Sequence, residues 1–150
     1  MKHRGLDRLE TWVPRASIVG IKAVSFEEYC LKEAFGGPPA LPESLLLQAA
    51  VDLAGWLVML STDYGRLWWP EECEEARFAA RLRPGGRARL AATVLAWDEA
   101  AMTCRVEGTV DGAPLFAAGP WRGRLLPLAD WRDPADMRVL YSEIAATVAG

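Results

Sequence analysis

Gln48 and Asp52 are the two polar side chains inside an otherwise apolar stretch from Leu45 to Leu60. Four residues apart on a helix, they share a face and can look into one pocket. A carboxylate placed there can hold or move a proton, and an amide beside it can orient a water molecule. The plainer role for Asp52 is a hydrogen bond at a helix–sheet contact or a subunit interface; in either role a buried carboxylate needs a partner. Few other groups offer chemistry. The single histidine, His3, lies in the polar N-terminal stretch. Cys30, Cys73 and Cys104 are an odd number at wide spacing, which argues against a disulfide framework and against a structural zinc site. No metal and no cofactor is expected, and a reducing, cytoplasmic setting is the simpler reading.

Arginine pairs such as Arg87 with Arg89, or Arg122 with Arg124, could hold a phosphate or could simply be a solvated strand face. The net charge of −3, from 20 acidic and 17 basic residues, provides no field that would draw nucleic acid. Seven tryptophans would suit an aromatic-lined pocket, although most such side chains serve cores and interfaces. Trp68 and Trp69, adjacent and near a turn, are the candidates for a pocket or interface role. No continuous apolar run marks a secretory signal at the N-terminus, and Leu45 to Leu60 is short of the ~20 residues that span a membrane. A chain of 150 residues is sized for one domain, taken here as 1–150.

The elements that must position these residues read as follows. Met1 to Glu10 is polar, with Leu6 and Leu9 as its apolar points. Ala16 to Val24 is rich in β-branched residues and suggests a strand. Glu27 to Ala34 suits a short helical turn, and the glycines and prolines from Phe35 to Pro42 exclude regular structure. Pro42 suits the start of a helix, with Glu43 near its positive end. Leu45 to Leu60 then reads as a helix apolar almost all round, which is normally surrounded by protein. Ser61 to Pro70 reads as a loop or sheet edge. Four strands follow, over Ala76 to Leu82, Ala88 to Trp97, Met102 to Val110 and Ala113 to Arg124. Asp111-Gly112 is a strong type I′ hairpin signal. Asp136 to Val148 could form a terminal helix. One buried helix followed by antiparallel strands makes an α+β fold.

The block from Ile18-Val19-Gly20-Ile21-Lys22-Ala23-Val24 through Phe35-Gly36-Gly37-Pro38-Pro39-Ala40-Leu41-Pro42-Glu43-Ser44-Leu45-Leu46-Leu47-Gln48 resembles the 3-hydroxyacyl-[acyl-carrier-protein] dehydratases of bacterial fatty-acid synthesis, the FabZ/FabA-like enzymes. Their pattern is a His-Phe-Pro-Gly-x-Pro loop, then Pro-Gly and a helix bearing an acid and a Gln. Ala76-Arg77-Phe78 with Arg83-Pro84-Gly85-Gly86, and Val110-Asp111-Gly112, resemble two further stretches of the family. The resemblance implies a hot-dog fold, in which a curved antiparallel sheet wraps a long central helix. It also implies a homodimer, whose side-by-side sheets would set residues near Phe35 against the neighbouring helix.

The departures bear on function. The family's catalytic His falls on Ala34 and its catalytic acid on Gln48; its helix-start Gly falls on Glu43 and its helix Gln on Asp52. The N-terminal arm also lacks the segment that precedes the family's first strand. The resemblance therefore implies a protein that binds an acyl thioester of acyl carrier protein or CoA without the usual dehydration chemistry, as a homodimer or paired with an active homologue. The alternative is an active thioesterase or dehydratase with relocated catalytic groups, Asp52 and Gln48, with Tyr64 or Cys30 as an unusual partner. Phe35, Gly36, Glu43, Ser44, Trp68 and Trp69 are the candidate substrate-binding residues.

Overall fold

A computed structural model describes residues 5–24 and 40–145. The expected helical turn over Glu27 to Ala34, and with it His3, Cys30, Phe35 and Gly36, lies outside the described residues. Seven strands form one antiparallel sheet: β1 (Arg8–Val13), β2 (Ser17–Ala23), β3 (Arg66–Cys73), β4 (Ala76–Phe78), β5 (Arg87–Trp97), β6 (Ala101–Val110) and β7 (Ala113–Pro127). Their order is β1-β2-β5-β6-β7-β3, with β4 also pairing β7. The central helix α1 (Glu43–Ser61) lies in the hollow of this curved, unclosed sheet, and α2 (Pro134–Ala145) ends the described chain. This is the α+β hot-dog fold.

The core follows from the helix. Leu46, Ala49, Ala50, Leu53, Ala54 and Leu57 of α1 are buried against Ile18, Leu90, Ala92, Val106 and Leu115 of the strands. By length and composition α1 could cross a membrane, and it is instead the core helix of this sheet. The hairpin between β6 and β7 turns at Asp111 and Gly112 with φ of 51° and 81°, the positive angles of a type I′ turn.

Two expectations change and two gain exact bounds. Polar residues do not keep 5–10 out of the fold: β1 pairs β2, and the two apolar points, Leu6 and Leu9, are each only 3% exposed. Of the two readings of Ser61 to Pro70, the sheet edge holds: β3 pairs β7 from Arg66↔Pro127 to Cys73↔Trp121. Pro70 is compatible because β3 is an edge strand with a register shift just beyond that residue. The strand over Ala76 to Leu82 is only three residues long. After Phe78 the N–H groups of Ala79 and Ala80 both donate to the Leu115 carbonyl, so the chain leaves β7, and the Leu82 carbonyl accepts the Leu41 N–H at 2.8 Å. The terminal helix starts at Pro134. Its Met137, Leu140, Tyr141 and Ile144, spaced three and four apart, pack on the core.

Candidate functional site

Pro42 precedes α1 with φ −56°, the angle its ring favours, and no side chain caps the helix. The N–H groups of Leu45 and Leu46 donate to the Pro42 carbonyl at 3.0 and 3.4 Å. Glu43 and Ser44 sit in the first turn with exposed side chains. One and two turns further on, the helix brings Gln48 and Asp52 together: Gln48 Nε2 donates to Asp52 Oδ1 at 3.0 Å.

Three other parts of the chain converge on that carboxylate. Gly5 lies against Oδ2, leaving no space for a Cβ. Lys22, the one charged side chain buried below a tenth exposure among the described residues, comes from the inner face of β2. Arg132 comes from the turn before α2. Burial pushes the Asp52 carboxyl above its ordinary value, and the Gln48 hydrogen bond and the charges of Arg132 and Lys22 draw it back. Gly5 is held there by its neighbours. The Asp7 N–H donates to the Ile21 carbonyl at 2.9 Å, and the Asp7 carboxylate accepts the Ala23 N–H at 2.6 Å. Sequence reasoning missed this surround, because Gly5, Lys22 and Arg132 carry no local signal that links them to Asp52.

Trp68 and Trp69 are elsewhere. They follow the C-terminal turn of α1, whereas Glu43 and Ser44 open it; 19 residues of helix separate the two ends by roughly 27 Å. Trp68 is buried, its indole N–H donates to the Met102 carbonyl at 3.0 Å, and its ring meets Trp121 edge-on at 6.1 Å. Trp69, on the opposite face of β3, is 42% exposed and lies against Trp131, the ring centroids 5.2 Å apart and the planes tilted by 37°. Tyr64 packs under the Arg138 guanidinium at 4.4 Å and burial raises its hydroxyl pKa; no hydrogen bond joins it to Asp52. Near this end, Arg15, Arg66, Trp97, Asp98 and Glu99 line an open groove of ≈ 600 Å³. The Arg15 guanidinium covers the Trp97 ring at 5.4 Å, and two backbone N–H groups hold Asp98 below its ordinary pKa. Among the described residues no group of His, Cys, Asp and Glu could hold a metal ion.

A dehydratase FabZ of Acetivibrio thermocellus is 31% identical to the chain over 110 residues, which are 71% of this chain and 74% of that protein. The chain belongs to the FabZ family of 3-hydroxyacyl-[acyl-carrier-protein] dehydratases. The FabZ of Zymomonas mobilis is 35% identical over 88 residues, 57% of this chain and 56% of that protein. The chain thus spans little more than half the length of that relative. No family model matches. Solved structures share the fold at low identity. A Streptococcus mutans protein bound to acetyl CoA superposes with a TM-score of 0.64 at 10% identity, over 84% of this chain and 94% of its own. A thioesterase of Haemophilus influenzae superposes with a TM-score of 0.62 at 11% identity, over 83% and 81%. In this FabZ-family chain, the helix position that resembles the family's acid is Gln48, an amide bonded to Asp52.

Proposed function

We propose that this FabZ-family chain, as a single hot-dog domain, binds an acyl thioester carried by acyl carrier protein or CoA and does not perform the family's dehydration. The Gln48–Asp52 pair is the observation that carries this reading. Dehydrating a 3-hydroxyacyl thioester needs a base for the Cα proton and an acid for the departing hydroxyl. Gln48 cannot exchange a proton in that role, and Ala34 offers no titratable group at the other position. Asp52 is engaged on Oδ1 by Gln48 and covered on Oδ2 by Gly5.

The start of α1 is suited to the thioester carbonyl. The N–H groups of Glu43 and Ser44 have no acceptor within the helix and carry its positive end. The Glu43 carboxylate makes the spot less welcoming to an anion, so a neutral carbonyl is the better guest. A homodimer, or pairing with an active homologue, fits the outer side of α1, where Leu45, Leu47, Val51 and Met59 are only half-buried. It would also cover the edge of β3 that pairs with nothing among the described residues.

One observation favours a second reading, a thioesterase with relocated groups. Asp52 has a raised pKa beside an amide that could orient water, the environment of a general base. A parallel assay decides between the two readings. Purified protein is offered 3-hydroxyacyl and saturated acyl thioesters, with enoyl formation and thiol release recorded for wild type, D52N and Q48A. Silence on both channels, with thioester binding retained in calorimetry, is the expected result. Thiol release that disappears in D52N would establish the second reading, and enoyl formation would overturn both.

A further inference from the structure

Two guanidiniums, Arg15 and Arg66, line the open groove at the C-terminal end of α1, and neither has an ion-pair partner among the described residues. Asp98 and Glu99 line the same groove without closing on them. The Asp98 carboxylate is committed to its own turn, Oδ1 accepting the N–H groups of Ala100 and Ala101 at 2.7 and 2.9 Å.

Three turns build the walls. Pro14 and Arg15 are the central residues of the turn between β1 and β2, closed by the Ala16 N–H on the Val13 carbonyl at 3.0 Å. Arg15 has a φ of 56°, a left-handed angle that such a turn ordinarily gives to Gly or Asn. An arginine is thus held there against its backbone preference, by its N–H on Ser61 Oγ at 2.9 Å and by its guanidinium over the Trp97 ring at 5.4 Å. Arg66 belongs to the turn that follows α1. Its N–H donates to Thr62 Oγ1 at 3.0 Å, and that hydroxyl donates to the Val58 carbonyl at 2.8 Å. The third turn, between β5 and β6, carries Asp98 and Glu99 and is tied to β7 by the Leu125 N–H on the Ala100 carbonyl at 2.8 Å.

A guanidinium stacked on an indole keeps its N–H donors at the edge of its plane, free to grip an oxyanion. Half-buried Trp97 and buried Leu125 give the groove an apolar wall, and ≈ 600 Å³ is the size of a small-molecule site. Glu99, which has no ion-pair partner among the described residues, adds a negative charge that disfavours a dianion more than a monoanion. We infer that this groove binds a small carboxylic acid, its carboxylate held by Arg15 and Arg66 and its apolar body laid along Trp97 and Leu125. The site lies at the opposite end of α1 from Glu43 and Ser44 and does not depend on the thioester-binding reading.

The test is a heteronuclear NMR titration of wild type with benzoate, its neutral isostere benzamide and phenyl phosphate. It follows the Trp97 indole N–H, assigned with W97F, and the Arg66 amide. Benzoate is expected to shift both signals, benzamide to shift neither, and phenyl phosphate to bind more weakly than benzoate. R15Q/R66Q is expected to weaken benzoate by roughly 10-fold or more. Benzoate affinity unchanged in that variant would overturn the site, and phenyl phosphate binding as tightly as benzoate would overturn the carboxylate selectivity. No benzoate shift in wild type would also overturn it, leaving the arginines to steady the C-terminal end of α1. Should R15Q/R66Q not fold, R66Q and E99Q replace it: benzoate should weaken in R66Q and tighten in E99Q, and a change in neither would overturn the site.

Discussion

Gly5 lies against the carboxylate of Asp52, forty-seven positions along the chain, with no room for a side chain between them. Residues 5–7 are thereby a strap across the polar side of α1, pinned by Leu6 in the core and by Asp7 on β2. Gly5→Ala must push the strap off the helix or distort it, and overpacking of this kind costs about 1–3 kcal/mol. Urea denaturation measures the loss, and faster hydrogen exchange at the Asp7 N–H locates it. An unchanged midpoint would show that the strap does not hold Asp52 in solution.

Burial raises the Asp52 carboxyl, so the folded protein holds that proton more tightly than the unfolded chain does. For such a group the contribution to stability is fully present below the unfolded pKa, about 3.9, and is lost as pH rises through the folded pKa. The unfolding free energy of Asp52→Asn relative to wild type is therefore expected to increase from about pH 3 to neutrality. Denaturant titrations across that range check it. A difference that is flat with pH, or falls, would contradict the buried placement.

Trp68 and Trp69 are neighbours with opposite expectations. Trp68→Phe leaves the Met102 carbonyl without its donor in the core, a loss of about 1–3 kcal/mol. Trp69→Ala removes a tilted surface contact with Trp131 worth about 0.5–1.5 kcal/mol. Chemical denaturation of both variants should rank them in that order, and the reverse order would mean that the β3 register is wrong.

The Cys104 thiol is buried and its pKa is pushed up to about 12, chiefly by desolvation, whereas Cys73 is exposed. The thiolate is the reactive form, so Cys104 should resist alkylation in the native state. In a Cys30→Ser background, mass spectrometry at mildly alkaline pH should find one fast-reacting equivalent at Cys73. A second should appear only when the protein unfolds.

The central helix was legible because its signal is local. Leu45 to Leu60 has almost no charge and few β-branched residues, and α1 extends that range by only two residues at the start and one at the end. The β5 to β7 meander was legible for a similar reason, with Asp111-Gly112 selecting its own backbone angles. β1 and the shortness of β4 were not, and β3 was legible only as a loop or sheet edge. Leu6 and Leu9 look like isolated apolar points until β2 offers them a core, and Pro70 is compatible with either a loop or a sheet edge until β3 pairs β7. The local signal over Ala76 to Leu82 continues past Phe78, where the chain turns away to meet Leu41.

The site divides in the same way. The sequence alone determined that Gln48 and Asp52 share a helix face, since helical periodicity sets that. Only the tertiary structure decided what surrounds them: Gly5, Lys22 and Arg132 arrive from three distant parts of the chain. Strand register likewise decided that Trp68 points inward and Trp69 outward, and that Glu71 forms ion pairs with both Arg122 and Arg124. Periodicity is a property of neighbours in the chain, whereas burial and charge pairing depend on contacts that exist only once distant segments have packed.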